Sequence, residues 1–187
     1  LKTSDAFVKY RALRQRTGGN AFPVSLTLYS SMNYRGARFT DGLDHYTSDR
    51  VSYHHQAIFA RKMTEGISLV VAPSIVHWNL VPEPEDPNDT YHLMLGGRYK
   101  LTQRIALTGE YAFSSNRRYG SGATEEQFHN PLSIGVDIET GGHVFQFHLS
   151  NTRALSDPLW MARNPYSAAN GSLFLGFNIS RVFTVKQ

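Results

Sequence analysis

The sequence predicts an all-β chain folded as an antiparallel up-and-down transmembrane β-barrel, and three observations carry that prediction. Apolar and polar residues alternate with period two in segment after segment, as in strands with one greasy and one polar face. The connections alternate between tight turns and long polar loops, the asymmetry of a barrel whose short turns face the periplasm and whose long loops face the exterior. The segments run to about ten residues or more, matching the ~9 to 11 that a tilted strand needs to cross a bilayer rather than the ~5 to 6 usual in soluble sheets.

Taken in order, residues 6–15 leave the period open: Val8, Leu13 and the basic residues fit a helix or a strand with Lys9 and Arg11 turned one way, and we read a strand. Residues 22–34 alternate around Val24, Leu26 and Leu28. Residues 51–63 and 67–80 have mixed faces, a blur that a bulge or a shielded interior position would produce. In 91–101, Tyr91, Leu93, Leu95, Tyr99 and Leu101 oppose His92, Met94, Gly96, Arg98 and Lys100. In 105–114, Ile105, Leu107, Tyr111 and Phe113 oppose Ala106, Thr108, Glu110 and Ser114. The cleanest case is 132–140, where Leu132, Ile134, Val136 and Ile138 face away from Ser133, Gly135, Asp137 and Glu139. Residues 143–151 set Phe145, Phe147 and Leu149 against Val144, Gln146, His148 and Ser150. The last segment, 173–185, sets Leu173, Leu175, Phe177, Ile179, Phe183 and Val185 against Gly176, Asn178, Ser180 and Thr184. Tight turns are expected at 18–20, 64–66, 102–104 and 140–142, and long loops at 35–50, 81–89, 115–130 and 152–170.

Composition supports this reading. Gly at 15, Tyr at 10 and Phe at 11 favour strands, turns and aromatic faces. The longest apolar stretch, 67–76, is interrupted by Ser68, Pro73 and Ser74, far short of the roughly 20 residues of a membrane-spanning helix. Cysteine is absent, which excludes a disulfide framework and a thiolate zinc site. The net charge of +4 decides little between anionic lipid, nucleic acid and an acidic solute. One domain covers residues 1–187.

Alternation alone fits a barrel with its greasy face inside or outside. The polar faces carry Lys9, Arg11, Arg98, Lys100, Glu110, Asp137, Glu139 and His148 among small Gly and Ser residues. Opposite charges beside small residues suit a crowded lumen, where they satisfy one another away from bulk water. Asp137 and Glu139 are therefore expected to pair with Arg98, Lys100, Lys9 or Arg11. The other faces carry Leu132, Ile134, Val136, Phe145, Phe147, Leu149, Leu175, Phe177 and Ile179, expected to face lipid, with Tyr91, Tyr99, Tyr111 and Phe183 towards strand ends like an aromatic girdle.

Four stretches carry a resemblance: Phe7-Val8-Lys9-Tyr10-Arg11-Ala12-Leu13-Arg14-Gln15, Gly96-Gly97-Arg98-Tyr99-Lys100-Leu101-Thr102, residues 135–146 from Gly135-Val136-Asp137-Ile138 to Val144-Phe145-Gln146, and Gly176-Phe177-Asn178-Ile179-Ser180-Arg181-Val182-Phe183. Together they resemble an uncharacterised membrane-bound β-barrel family of the outer membrane of Bacteroidetes-type bacteria, over essentially the whole chain. The resemblance implies location and architecture and carries no activity, cofactor or ligand onto residues here. It also implies members that are longer at the start, with a signal peptide and extra strands. The residues themselves give nine strands, whereas bacterial single-chain barrels close with even numbers, so this chain is expected to be the C-terminal portion of a larger barrel.

Competing chemistry is weak. Asp44, His45, His54 and His55 suggest a metal, but adjacent His54 and His55 point to opposite faces of a strand. His143 and His148 are likewise on opposite faces, and His77 beside Trp78 reads as an interface pair. His148, Ser150 and Glu139 share an inward face and admit an acyl hydrolase. Glu83, Glu85, Asp86 and Asp89 lack the glycine turn and bidentate Glu of a calcium loop. Arg117-Arg118-Tyr119 and residues 11–16 mix basic with aromatic residues without a stacking platform for nucleic acid. The expected function is a passive, non-enzymatic outer-membrane barrel without a cofactor, either a porin-like conduit or a scaffold, whose partners are outer-membrane lipid and other outer-membrane or periplasmic proteins. The alternatives are an outer-membrane lipid-modifying hydrolase and a soluble β-barrel that binds a hydrophobic ligand inside.

Overall fold

Nine strands form one antiparallel sheet in which each strand pairs with the next along the chain. The computed structural model describes residues 2–16, 18, 22–116, 118–121 and 125–181. The strands are β1 (Thr3–Leu13), β2 (Ser25–Arg35), β3 (Val51–Lys62), β4 (Ile67–Trp78), β5 (Asp89–Lys100) and β6 (Ile105–Ser114), then a two-stranded loop ribbon, β7 (Arg118–Tyr119) and β8 (Glu126–Gln127). The sheet resumes with β9 (Leu132–Thr140), β10 (His143–Ser150) and β11 (Phe174–Arg181). Between β10 and β11 lies one short helix, α1 (Asp157–Ala162). Among the described residues no helix is long and apolar enough to cross a membrane.

The long elements match the nine expected segments, and the first, expected over 6–15, is a strand that ends at Leu13, with the register of β1 shifting between Arg11 and Leu13. Phe183, Thr184 and Val185 lie outside the described residues. The first turn is longer than the Gly18 region suggests: β1 ends at Leu13 and β2 starts at Ser25, with Arg16 N donating to Phe22 O at 3.0 Å. Turns 63–66 and 101–104 are tight, each tied by a threonine hydroxyl that accepts the backbone N–H two and three residues on, Thr64 from Gly66 and Ile67 and Thr102 from Arg104 and Ile105. Gly141 and Gly142 both take positive φ in the two-residue turn between β9 and β10, a backbone glycine adopts without cost.

The outer face exposes large apolar side chains from every long strand, among them Leu69, Leu95, Leu107, Ile134, Phe147 and Phe177. The inner face is polar and buried: Asn33, Ser52, His54, Ser74, His92, Ser133 and Asp137 are all under one-tenth exposed. A monomeric soluble protein rarely leaves a contiguous apolar patch beyond a few hundred Å², so this distribution is that of a membrane protein, inverted from a soluble core. Of the two causes expected for the mixed face of β4, the structure shows the shielded interior position and not the bulge. The register of β3 on β4 is unshifted from Ser52↔Trp78 to Lys62↔Ser68, and β4 is apolar on both sides because the upper half of its inner face packs under α1. Val76, Trp78 and Ala162 form the buried apolar cluster there, with Val81 and Leu159 packed against it.

Candidate functional site

The segment joining β10 to β11, expected to be a long exterior loop, instead turns inward, and this is the largest departure from the sequence reading. Ser156 precedes α1 with extended φ and ψ, and Pro158 stands in its first turn, positions that suit a helix start. Tyr29 Oη donates to Asp157 Oδ2 at 2.6 Å, and His54 Nδ1 approaches the same oxygen at 3.5 Å. Ser74 Oγ lies 3.5 Å from Met161 Sδ. Burial pushes the Asp157 carboxyl up, but His54 and the Tyr29 hydroxyl together hold it below the usual carboxylate value. The helix is thus fastened to the inner face of β2 and β3 at its first residue and meets β4 at Met161.

Above the helix the loops knit into a cap. The Arg163 guanidinium stacks on Trp78 at 3.9 Å and lies 5.0 Å from the Tyr119 ring. Asn164 exchanges hydrogen bonds with the His129 backbone, accepting at O from His129 N at 2.7 Å and donating from Nδ2 to His129 O at 3.3 Å. Asn151 Nδ2 bridges Asn130 O and Tyr166 O. Asp86 accepts from Glu83 N and Gly120 N within the loops, and Asp89 at the start of β5 pairs across the strands with His77 on β4 at 2.7 Å. Arg117 lies outside the described residues.

Below the helix, a trough of about 1200 Å³ runs along the inner face from Ser68 on β4 to Asn178 on β11. Its floor holds the expected charges. Arg98 Nε lies 3.2 Å from Asp137 Oδ2 and Arg98 Nη2 lies 3.3 Å from Glu139 Oε1, and Gln146 Nε2 donates to Asp137 Oδ1 at 3.0 Å. Glu110 sits across from Gly96 and Ser133. His148 faces Gly135 and Gly176, and a Cβ at Gly176 would meet its ring. Lys9, Arg11 and Lys100 also lie on the inner face by register, opposite Tyr29, Thr27 and Ala106, yet they are exposed and join no ion pair among the described residues. Of the expected network the structure therefore brings Arg98, Asp137 and Glu139 together and leaves Lys9, Arg11 and Lys100 apart.

On the opposite face, Ile134, Phe147, Leu149, Leu175, Phe177 and Ile179 are exposed, while Leu132, Val136 and Phe145 are half-buried between neighbours. Phe177 bridges Phe147 and Phe145 at ring distances of 4.8 and 6.4 Å. The hydrolase geometry does not assemble: Ser133 Oγ donates to Ser150 Oγ at 2.8 Å, Glu139 is engaged by Arg98, and no hydrogen bond joins His148 to either among the described residues. His54 is buried beside the helix, whereas His55 points outward to Ser30 at 2.9 Å. Sequence reasoning does not bring together Tyr29, Asp157 and His54, the last of which it weighs only as a metal candidate; they come from β2, α1 and β3.

A family model described as "Membrane bound beta barrel domain (DUF5777)" matches residues 1–183. No curated protein matches the chain, and no solved structure does.

Proposed function

The chain belongs to that family of membrane-bound β-barrel domains, and from this premise we propose that it is a passive outer-membrane conduit for small polar solutes, closed at its long-loop end by its own inward-folded segment. One observation carries the reading: α1 packs on the inner face at one end while a trough of about 1200 Å³, in which Arg98, Asp137 and Gln146 stand among apolar side chains, stays open beneath it. A pure scaffold needs no such space, and a hydrolase needs a nucleophile held by a base, which Ser150 lacks. Gly96, Ser133 and Thr108 keep part of the trough wall small, while Gly135 and Gly176 make room for the Thr108 hydroxyl and the His148 ring. The charge floor is an ion-paired lining of the kind that tunes permeation without chemistry.

Planar-bilayer conductance tests this. Wild type should open rarely, and Asp157→Ala with Tyr29→Phe, which removes the 2.6 Å fastening, should raise both open probability and mean conductance. Conductance that is absent in both proteins, although both are folded by heat-modifiable mobility, would rule out the conduit.

A further inference from the structure

The short-turn end of the sheet carries a basic rim with no assigned role. Arg14, Arg16, Arg61, Lys62, Lys100 and Arg104 are all exposed there, and none takes part in an ion pair among the described residues. Among the described residues the carboxylates at this end are Glu65 and Glu139, and Arg98 already holds the second. Hydrogen bonds between neighbouring turns make the rim continuous. Gln15 Nε2 donates to Lys62 O at 3.0 Å and Gln15 Oε1 accepts from Lys62 N at 2.8 Å. Lys100 N donates to Gly66 O at 2.8 Å, and Glu139 N to Arg104 O at 2.7 Å. At the opposite end both signs are present and several charges are paired: Asp41 with His45, His77 with Asp89, Arg118 with Glu125.

Large apolar residues stand exposed among these cations. Met63 follows Lys62 and is 50% exposed, and Leu101 follows Lys100 and is 52% exposed. Tyr10 and Tyr99 are exposed on the outer face near the same strand ends, and Arg61 shares that face with Phe59. A rim that met only water or a soluble acidic protein has no use for Met63 and Leu101 in the open. Cations interleaved with aliphatic and aromatic side chains at a strand-end belt match the headgroup zone of an anionic bilayer, where long basic side chains reach phosphates while their stems and neighbours stay in the acyl boundary. We infer that the short-turn rim is a binding surface for anionic phospholipid headgroups in the leaflet at that end. The inference rests on the membrane-bound fold and not on the conduit, since a chain that passes no current still meets its test.

The full chain is folded into vesicles of phosphatidylcholine alone and of phosphatidylcholine with phosphatidylglycerol, and the unfolding midpoint is read in each at low and high salt. The midpoint should be higher with phosphatidylglycerol, and the difference should shrink at high salt because exposed charges are screened. The R61Q/K62Q/K100Q/R104Q variant should lose the difference. The single variants K62Q and K100Q, which preserve more of the rim, should each lose part of it. Native mass spectrometry from mixed micelles should find phosphatidylglycerol retained several-fold over phosphatidylcholine on wild type and near parity on the quadruple variant. Equal midpoints in the two vesicles, or a difference that survives in the quadruple variant, would overturn the inference. Saturable binding of soluble polyglutamate to the rim with no lipid effect would also overturn it and give the surface to an acidic polypeptide.

Discussion

Asp157 concentrates the residue-scale argument, because one carboxylate fastens the helix to the wall. Its folded value lies below the ordinary 3.8, so the stabilisation is fully present above pH 3.8 and is lost as pH falls through the lower folded value. Wild type should therefore lose thermal stability in that acid window relative to its neutral-pH value, and Asp157→Asn, lacking the titration, should lose less; parallel curves would remove Asp157 from the fastening. Tyr29→Phe deletes the 2.6 Å bond and should cost about 1 to 2 kcal/mol. Glycine gives a sharper contrast. A Cβ at Gly135 would lie 2.8 Å from both Phe147 O and Thr108 Oγ1, whereas one at Gly96 meets nothing closer than 3.7 Å. Gly135→Ala should therefore destabilise by about 1 to 3 kcal/mol and Gly96→Ala by much less, read from denaturant midpoints in detergent. The floor charges were legible from parity alone, since Asp137 and Glu139 fall two residues apart on one face. That Arg98 takes both acids while Lys100 takes neither was not legible, because register across three strands decides reach. Pro73 is the other surprise at this scale. It sits inside β4 opposite Leu93, and the ladder to β3 omits Ala57 and Ile58 beside it, as a residue without an N–H requires.

At the scale of elements, strands were legible and the helix was not. Period two persists over nine or more residues in β9, so its two faces declare themselves. The six residues of α1 make fewer than two turns, too few for a helical period to show. The available signal was local: Ser156, Asp157 and Pro158 leading into Leu159, Trp160 and Met161, an N-cap pattern before an apolar run. The blurred face of β4 was a second trace of the same helix, since Val76 and Trp78 are apolar on the inner side only because Ala162 and Leu159 cover them. Adjacent positions on β11 test the face assignment. Phe177→Arg places a cation on the outer face and should cost about 2 to 4 kcal/mol near the bilayer midplane, while Asn178→Arg, one residue on and exposed on the inner face, should cost much less. Equal penalties would mean the faces are reversed.

For the whole molecule, the decisive property is which side of the sheet meets lipid. Sequence alternation fits either orientation, and the structure separates the two faces: polar groups buried against α1 and the trough, apolar groups exposed outside. Membership of a membrane-bound barrel family gives that exposure its solvent. The chain has no cysteine, so single-cysteine variants along residues 146–149 of β10 can be read one at a time in lipid vesicles. Labelled positions 147 and 149 should be quenched by spin labels on lipid acyl chains, and positions 146 and 148 by a water-soluble quencher, in strict alternation. The opposite alternation, or uniform access of the aqueous quencher to all four positions, would contradict a lipid-facing outer surface.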